Sequence, residues 1–516
     1  MTVDPDSTNV SCAVAWTAFT DPTESTDIPD WVATAYIDSY RGPHNDALGT
    51  DGGPPDADPV SRSTAAAVVT PGVLGAHWRL AQHRPAGGTR VAAYADDDPA
   101  GFGPALQVVT EHGGMLMDSV AVLLHRLGVA YLGIMTPVFT VRRNGSGELR
   151  SVEPQTRQTQ VRPAGGGDRI DETWIHVQLS PSVDRKALAE AERLLPNVMA
   201  DVRQVATDST AMAAALSALA GDVETDRDGH FAAPDRQDVA ALLHWLANGH
   251  FVLLGYQRGL VHDGHVLADE SARLGVLRLR KASRRRLAGD KLLMLTQATV
   301  PSYMRFGSYT YTVAIRENSG DSVVEHRFVG LFTVAAMNTN VLEIPIISRT
   351  VQQALALSER QPSHPGQLLL DIVQTVPRSE LFAMSAERLL TMAMAVADLG
   401  SRRRALLFLR ADQLGRFVSC LVYLPRDRYT TAVRLHMQDI LVTEFGGSNL
   451  EYTARVSEAP WALVHFMVRV SDGAGARTVD TSEANRVRIQ ARLTESTRTW
   501  ADRLVGAVAD GAIAEG

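Results

Sequence analysis

Cysteine is nearly missing. Cys12 and Cys420 are the only two in 516 residues, which excludes a disulfide framework and leaves too few thiols for a cysteine-based metal site. Lysine is as scarce: of 50 basic residues only Lys186, Lys281 and Lys291 are lysines. A mechanism that needs an amine of tunable pKa therefore has three candidates, because arginine does not deprotonate usefully. No apolar run approaches the ~18 residues that span a bilayer, and the opening MTVDPDSTNV is acidic and polar, unlike a secretory signal. A basic excess is lacking too. The net charge of −8 and pI near 6.0 argue against nucleic acid as a partner, and RLRKASRRR (278–286), the one basic run, reads as a solvated loop. These absences fit the reducing cytoplasm, with neither nucleic acid nor membrane as partner.

The standard signatures of chemistry are absent as well. There is no G-x-x-x-x-G-K-[ST], no H-E-x-x-H and no G-x-S-x-G. The nearest approach to a dinucleotide turn, Gly101-Phe-Gly103-Pro-Ala-Leu, lacks its third glycine and places Pro104 in the turn. Cys420 sits mid-strand on an apolar face, a core position. His244 and His250 bracket a helix end beside Trp245 and Phe251 and read as structural. No residue is nominated as catalytic or as a metal ligand.

What is present is alternation of strands and helices. Residues 1–85 hold N-terminal helices and a flexible linker, with Pro29 to Tyr40 and Val73 to His83 helical and Gly52-Gly53-Pro54-Pro55 in the linker. From 86 to 205 a small α/β sandwich is expected. TRVAAYA is a strand, a loop then enters a helix ending at Gly113-Gly114, and MLMDS is a second strand. VAVLLHRLG is a helix stopped by Gly128, VAYLGIMTPVFTVRR is one strand, RNGSGE is a hairpin turn, and Ser182 to Gln204 is a helix. Residues 206–234 read as a helical linker, and 235–400 as an antiparallel sheet with flanking helices, including a hairpin about ENSGDS.

The last block has the order β-β-α-β-β-α, an open-faced ferredoxin-like sandwich with helices on one side. Its strands are ALLFLR (405–410), RFVSCLVYL (416–424), LEYTARVS (450–457) and WALVHFMVRV. A helix from about 429 to 445 aligns Val433, Met437, Ile440, Leu441 and Phe445 on one face. LEYTARVS alternates, with Leu450, Tyr452, Ala454 and Val456 inward. The domain divides at 401–472, and 473–516 forms a linker and a long helix with Ile489, Leu493, Trp500 and Leu504 in register. No closing strand follows, which reads as a truncation. Between strand and helix, PRDRYTT (425–431) reads first as a capped joint, with Asp427 or Thr430 accepting from free backbone N–H groups, and secondly as a contact for a small anion or amino acid.

Three long stretches carry a resemblance: DDPAGFGPALQVVTEHGGMLMDSVAVLLHRLG, VVEHRFVGLFTVAAMNTNVLEIPIISR and LLFLRADQLGRFVSCLVYLPRDRYTTAVR. With YIDSYRGP and SEANRVRIQARLTE they make residues 30 to 505 similar to the N-terminal half of the large bacterial NAD-dependent glutamate dehydrogenases. The arginine- and alanine-rich composition suits an actinobacterial member. The resemblance implies an α+β architecture: tandem ferredoxin-like (ACT-like) sandwiches flanking a PAS-like antiparallel-sheet domain, joined by helical connectors. It implies a regulatory and oligomerisation segment, with the Rossmann and substrate domains beyond residue 516. NAD would then be bound in the parent enzyme and not by this segment. The implied partners are the C-terminal catalytic half of the same polypeptide, further copies of the chain (a tetramer, for example) and an amino-acid effector. ACT domains bind amino acids near the loop from first strand to first helix, which here places Asp97, Asp98, Gly101 and Gly103, and Arg426, Asp427, Arg428, Thr430 and Thr431, at effector sites. An ordinary ACT domain runs β-α-β-β-α-β, so ALLFLR is either a substitute edge strand or an addition to a strand past residue 516. The rival readings are a stand-alone amino-acid sensor and a purely structural scaffold.

Overall fold

Residues 105–111, ALQVVTE, form a strand and not the helix their spacing suggests, and that one element organises the N-terminal sheet. The computed structural model describes residues 28–40, 67–99, 101–154, 169–226, 229–231, 235–280, 285–286, 292–304, 309–319, 322–358, 366–399, 404–412, 415–447, 449–470 and 479–498. They fall into two units, Met1–Thr207 with Ser302–Gly307, and Asp208–Pro301 with Ser308–Gly516.

The first unit begins with α1 (Asp30–Asp38) and α2 (Pro71–Ala81), the latter capped by Thr70, whose hydroxyl accepts from the Val73 N–H. Then come β1 (Arg90–Tyr94), β2 (Ala105–Glu111), α3 (Leu116–Arg126), β3 (Tyr131–Met135), β4 (Val138–Arg143), β5 (Leu149–Pro154), β6 (Arg169–Leu179) and α4 (Arg185–Thr225). MLMDS, expected as a strand, opens α3, with Met115 left-handed at φ 63° before it. The expected single strand at 129–143 is two, broken at Thr136-Pro137 because Pro137 donates no ladder bond. The turn expected in RNGSGE joins β4 to β5. The sheet runs β1-β2-β6-β4-β5, with β3 also on β6, all antiparallel. One face carries Val109, Phe139 and Trp174, which pack with Val32 and Tyr36 of α1 and Leu74 and Ala81 of α2. The alternate residues of β6, Ile175, Val177 and Leu179, are buried too.

The helix expected over 182–204 and the helical linker expected from 206 are one helix that continues to Thr225. In the second unit, α5 (Arg236–Trp245) passes through a π turn, which Asn248 and Gly249 (φ 86°) end, into β7 (Phe251–His262). β8 (His265–Ala268), β9 (Leu274–Gly275), β10 (Arg285–Arg286), β11 (Leu293–Pro301), β12 (Tyr309–Ser319) and β13 (Ser322–Phe332) complete a seven-stranded sheet. Its order is β10-β8-β7-β13-β12-β11, with β9 on β7. The hairpin about ENSGDS is present, Ser319 facing Ser322. Then follow α6 (Val334–Asn338), α7 (Ile347–Ser358), α8 (Gly366–Thr375), α9 (Arg378–Leu381) and α10 (Ala386–Ala397).

The last segment holds β14 (Leu406–Ala411), β15 (Phe417–Pro425), α11 (Thr431–Phe445), β16 (Asn449–Val456), β17 (Trp461–Arg469) and α12 (Glu483–Ser496). The sheet order β14-β15-β17-β16 puts ALLFLR on the edge beside β15, the place a closing fourth strand takes in a ferredoxin-like sheet. Val418, Cys420, Val422 and Leu424 pack with Met437, Ile440, Leu441 and Phe445 of α11 and Ile489 and Leu493 of α12, as their spacing requires. Trp500 and Leu504 lie outside the described residues.

Two expectations fail here. The sheet is not open-faced: Leu406, Leu421, Tyr423 and Leu463 on its other face join a core with α7, α8 and α10. And β16, though perfectly alternating, is an edge strand whose inward face is covered only at Leu450; Tyr452 and Val456 are 44% and 49% exposed. The Arg434 guanidinium lies over the Tyr452 ring at 4.1 Å in place of an apolar cover.

The first and the last sheet repeat one plan. The orders β1-β2-β6-β3 and β14-β15-β17-β16 match strand for strand, each with its extra strand leading, and each sheet is closed on its second face by helices that precede it in the chain.

Candidate functional site

PRDRYTT is built as a joint. Pro425 ends β15, Arg426–Arg428 form one 3-10 turn, and the Arg426 N–H donates to the Pro460 carbonyl at 2.9 Å. Thr430 is the N-cap of α11, its hydroxyl accepting from the Val433 N–H at 3.2 Å, and Thr431 is the first helical residue. Arg428 is buried and reaches the exposed Asp427, Nε to Oδ2 at 3.6 Å. Arg426 is exposed and makes no ion pair among the described residues.

The other nominated loop, Asp96 to Gly103, lies between β1 and β2, so it joins strand to strand. The loop that enters the first helix is His112–Met115 instead. Asp97 pairs with Arg185 of α4 at 2.7 Å, and Asp96 reaches the same guanidinium at 3.4 Å. The hydrogen bond and charge of Arg185 hold the Asp97 carboxyl below its usual range. Asp98 closes the turn by backbone bonds, its N–H donating to Ala95 and its carbonyl accepting from Gly101. Gly101 has φ +72° with open space around its α-carbon, while a Cβ on Gly103 would stand 1.8 Å from the Ala95 carbonyl oxygen. Both glycines are explained by the chain path.

The polar chemistry that the residue pattern did not reveal lies beneath the two sheets. In the first unit Glu172, fully buried, accepts from Arg84 Nε at 2.7 Å and from Arg143 Nε at 2.6 Å and Nη2 at 2.9 Å, with Trp174 Nε1 at 3.1 Å. Burial opposes its ionisation, but the Arg143 hydrogen bonds and the two positive charges hold its pKa below the usual range. Beside it Tyr36 donates to His77 Nδ1 at 2.7 Å while His77 Nε2 donates to the Val108 carbonyl at 3.2 Å. Gln107 links Val73 of α2 to His176 Nδ1. Burial pushes His77 down to about 3, helped by the charge of His176, and burial pushes His176 down to about 4, so both are neutral imidazoles at neutral pH.

In the second unit Glu380 of α9 is held by Arg410 of β14, and His465 Nε2 bonds Ser419 Oγ at 2.9 Å and lies 3.8 Å from Glu380. A Ser, a His and a Glu in reach of one another resemble a nucleophilic triad, but all three are buried and burial depresses the histidine, so the group joins α9 to the sheet. These residues were missed because a lone Glu or Arg in a strand pattern reads as solvent-facing.

The remaining candidates resolve structurally. His244 meets Glu224 at 3.1 Å, and His250 donates to the Trp245 carbonyl at 2.8 Å with its ring stacked on Trp245 at 4.2 Å. Burial pushes the Cys420 thiol far up, which makes it inert. Lys186 is exposed at the start of α4. Arg278 is tied to Asp208 at 3.1 Å. Lys281, Lys291 and Cys12 lie outside the described residues. Among the described residues no three His, Cys, Asp or Glu side chains are grouped to hold a metal ion, and no helix is long and apolar enough to cross a membrane.

Sequence comparison bears on what the repeated sheets are. The family model for the glutamate dehydrogenase ACT1 domain matches residues 58–195, that for helical motif 1 matches 344–402, and that for the ACT2 domain matches 406–501. An NAD-specific glutamate dehydrogenase of Mycobacterium tuberculosis is 61% identical over 518 residues, covering 99% of this chain. The chain belongs to the large bacterial NAD-specific glutamate dehydrogenase family. Its two ferredoxin-like sheets are the ACT domains of that family, and α7 to α10 lie in its helical motif. NAD-specific glutamate dehydrogenases of Pseudomonas aeruginosa and Halomonas elongata are 30% and 28% identical over 420 and 433 residues. The chain spans 31%, 25% and 26% of the length of these three relatives.

Proposed function

We propose that this chain is the N-terminal regulatory and assembly segment of an NAD-dependent glutamate dehydrogenase. The parent enzyme would convert L-glutamate, NAD and water to 2-oxoglutarate, ammonium and NADH in the cytoplasm. The observation that carries the reading is the match of three successive domain models, two of them ACT domains, in a chain 61% identical to one end-to-end third of an enzyme of that name. Catalysis and NAD binding belong, in this reading, to residues outside the segment. The Glu172 and Glu380 clusters support that division, since their side chains are spent on holding the two sheets and the segments packed on them together.

The middle sheet is the PAS-like domain in this reading. Its order β8-β7-β13-β12-β11, a leading hairpin at one edge and a three-stranded meander at the other, supports that assignment. An amino-acid effector would approach Asp97, Asp98, Gly101 and Gly103, or Arg426, Asp427, Arg428, Thr430 and Thr431. Of these Arg426 is the best placed for a carboxylate, being exposed and without an ion pair among the described residues. Partners are the catalytic half of the polypeptide and further copies of the chain, as in a tetramer.

The test is NAD reduction with L-glutamate, on this chain and on the longest natural polypeptide that contains it. Activity in the long form alone is expected. Turnover by the 516-residue chain would overturn the assignment.

A further inference from the structure

Most buried or half-buried arginines of the second unit face a carboxylate, as Arg410 faces Glu380 and Arg416 faces Asp412. Arg378, the first residue of α9, does not. It is 2% exposed and makes no ion pair among the described residues. Its Nη1 donates to the carbonyls of Gln374 (3.2 Å) and Val376 (3.3 Å), its Nη2 to that of Thr339 (2.9 Å), and its buried Nε has no partner. A second guanidinium comes to the same place. Arg455 of β16 donates Nη1 to the Gln374 carbonyl at 3.4 Å, so two cations share one oxygen. Burial brings Arg378 down to about 10, with the charge of Arg455 acting in the same direction. Burial lowers Arg455 also.

Both arginines line an open pocket of about 410 Å³ between α6, the end of α8 and the last residues of β16. Asn338, Gln374, Thr375 and Ser457 line it as well, and no acidic residue does. Like charges brought together in a partly dry place, without a counter-ion, cost free energy that an anion would recover. Guanidinium forks match the geometry of carboxylates and phosphates, and the volume is in the range of small-molecule sites.

We propose that this pocket binds a small oxyanion, a carboxylate or a phosphate, between Arg378 and Arg455. The site is separate from the strand-to-helix loops and does not depend on the glutamate dehydrogenase reading. An ion there would tie the segment after the middle sheet and the helical motif to the free edge of the second ACT sheet, three parts that otherwise meet around unpaired charge.

The test uses thermal unfolding of this chain with sodium phosphate or with glutarate, against sodium chloride at equal ionic strength. At saturating anion the midpoint of the parent chain rises by at least about 3 °C over the chloride control. A rise with phosphate alone marks a tetrahedral oxyanion as the occupant, and a rise with glutarate alone marks a carboxylate. Arg455→Gln changes a residue of an edge strand whose side chain still reaches solvent, and the variant is expected to fold. It weakens the responding anion about tenfold or more, while Arg455→Lys, which keeps charge but loses the fork, falls between. Without anion, Arg455→Gln leaves the midpoint unchanged or higher, because a repulsion is gone. No response of the parent chain to either anion overturns the proposal, and so does an equal response in Arg455→Gln.

Discussion

Arg410 grips Glu380 with both arms of its fork, Nε to Oε2 at 2.8 Å and Nη2 to Oε1 at 2.5 Å, and so fastens α9 to the edge strand of the second ACT sheet. The carboxylate is 2% exposed. Burial opposes its charge, yet the Arg410 hydrogen bonds and charge, with His465 and Ser419 behind them, hold its pKa below the usual range. The sheet face is thus anchored by a directional contact set within an apolar core.

Glu380→Gln leaves a half-buried guanidinium without its anion. The expected cost is about 3 kcal/mol in urea unfolding followed by circular dichroism, whereas Glu380→Leu with Arg410→Met costs far less, because no charge is stranded. The pH dependence has a definite sign. A carboxyl with a depressed folded pKa contributes stability that is present above its ordinary value of 4.5 and is lost as pH falls through the folded value. Glu172 in the first unit acts in the same direction.

His77 and His176 make the first unit sensitive to milder acid. Their folded pKa values are about 3 and about 4 against an ordinary 6.5, so between these limits the unfolded chain binds protons that the folded chain refuses. Their contribution is complete above pH 6.5 and declines as pH falls towards 4, each histidine giving a slope of at most about 1.4 kcal/mol per pH unit. Hydrogen exchange of peptides from β2 and β6 at pH 7.5, 6.0 and 5.0 reads this directly, after correction for the intrinsic rate. His176→Leu should remove about half of the slope in that range; an undiminished slope would assign it to other groups.

How much of this was legible depends on what each pattern reports. The helix α11 was readable because only one of its faces is buried, against β15 and α12, so period and burial coincide. β2 was not, because Ala105 to Thr110 are buried on both faces and a continuous apolar run carries no period to tell strand from helix. The alternation of β16 was read correctly as a strand and wrongly as a buried face, since alternation assigns sides and cannot say whether a neighbour reaches them. The capping role of Thr430 was local and therefore visible. The Glu172 and Glu380 networks were invisible, as their arginine partners stand 29 to 88 residues away in the chain.

Thr430 provides a calibrated check on the opening joint of α11. Thr430→Ala should cost about 1 kcal/mol, Thr430→Ser close to nothing, and Thr431→Ala close to nothing, since the residue after the cap accepts no such bond. If Thr431→Ala proved as costly as Thr430→Ala, the cap would be one residue later than described.

The two glycines of the acidic loop separate space from backbone angle. Gly101 has φ +72° in open surroundings, so Gly101→Ala carries only the penalty of a left-handed alanine, about 1 kcal/mol, and Gly101→Asn less, because asparagine tolerates that region. Gly103 has no such angle to defend, but its Cβ would fall 1.8 Å from the carbonyl oxygen of Ala95, the residue just past the end of β1. Gly103→Ala must therefore move backbone, at a cost of roughly 2 kcal/mol or more, and the displacement should loosen the Asp97–Arg185 contact on the same loop. Urea midpoints of the two alanine variants, measured side by side, decide it. A larger loss at Gly101 than at Gly103 would mean that the loop closes over β1 less tightly than the described path requires.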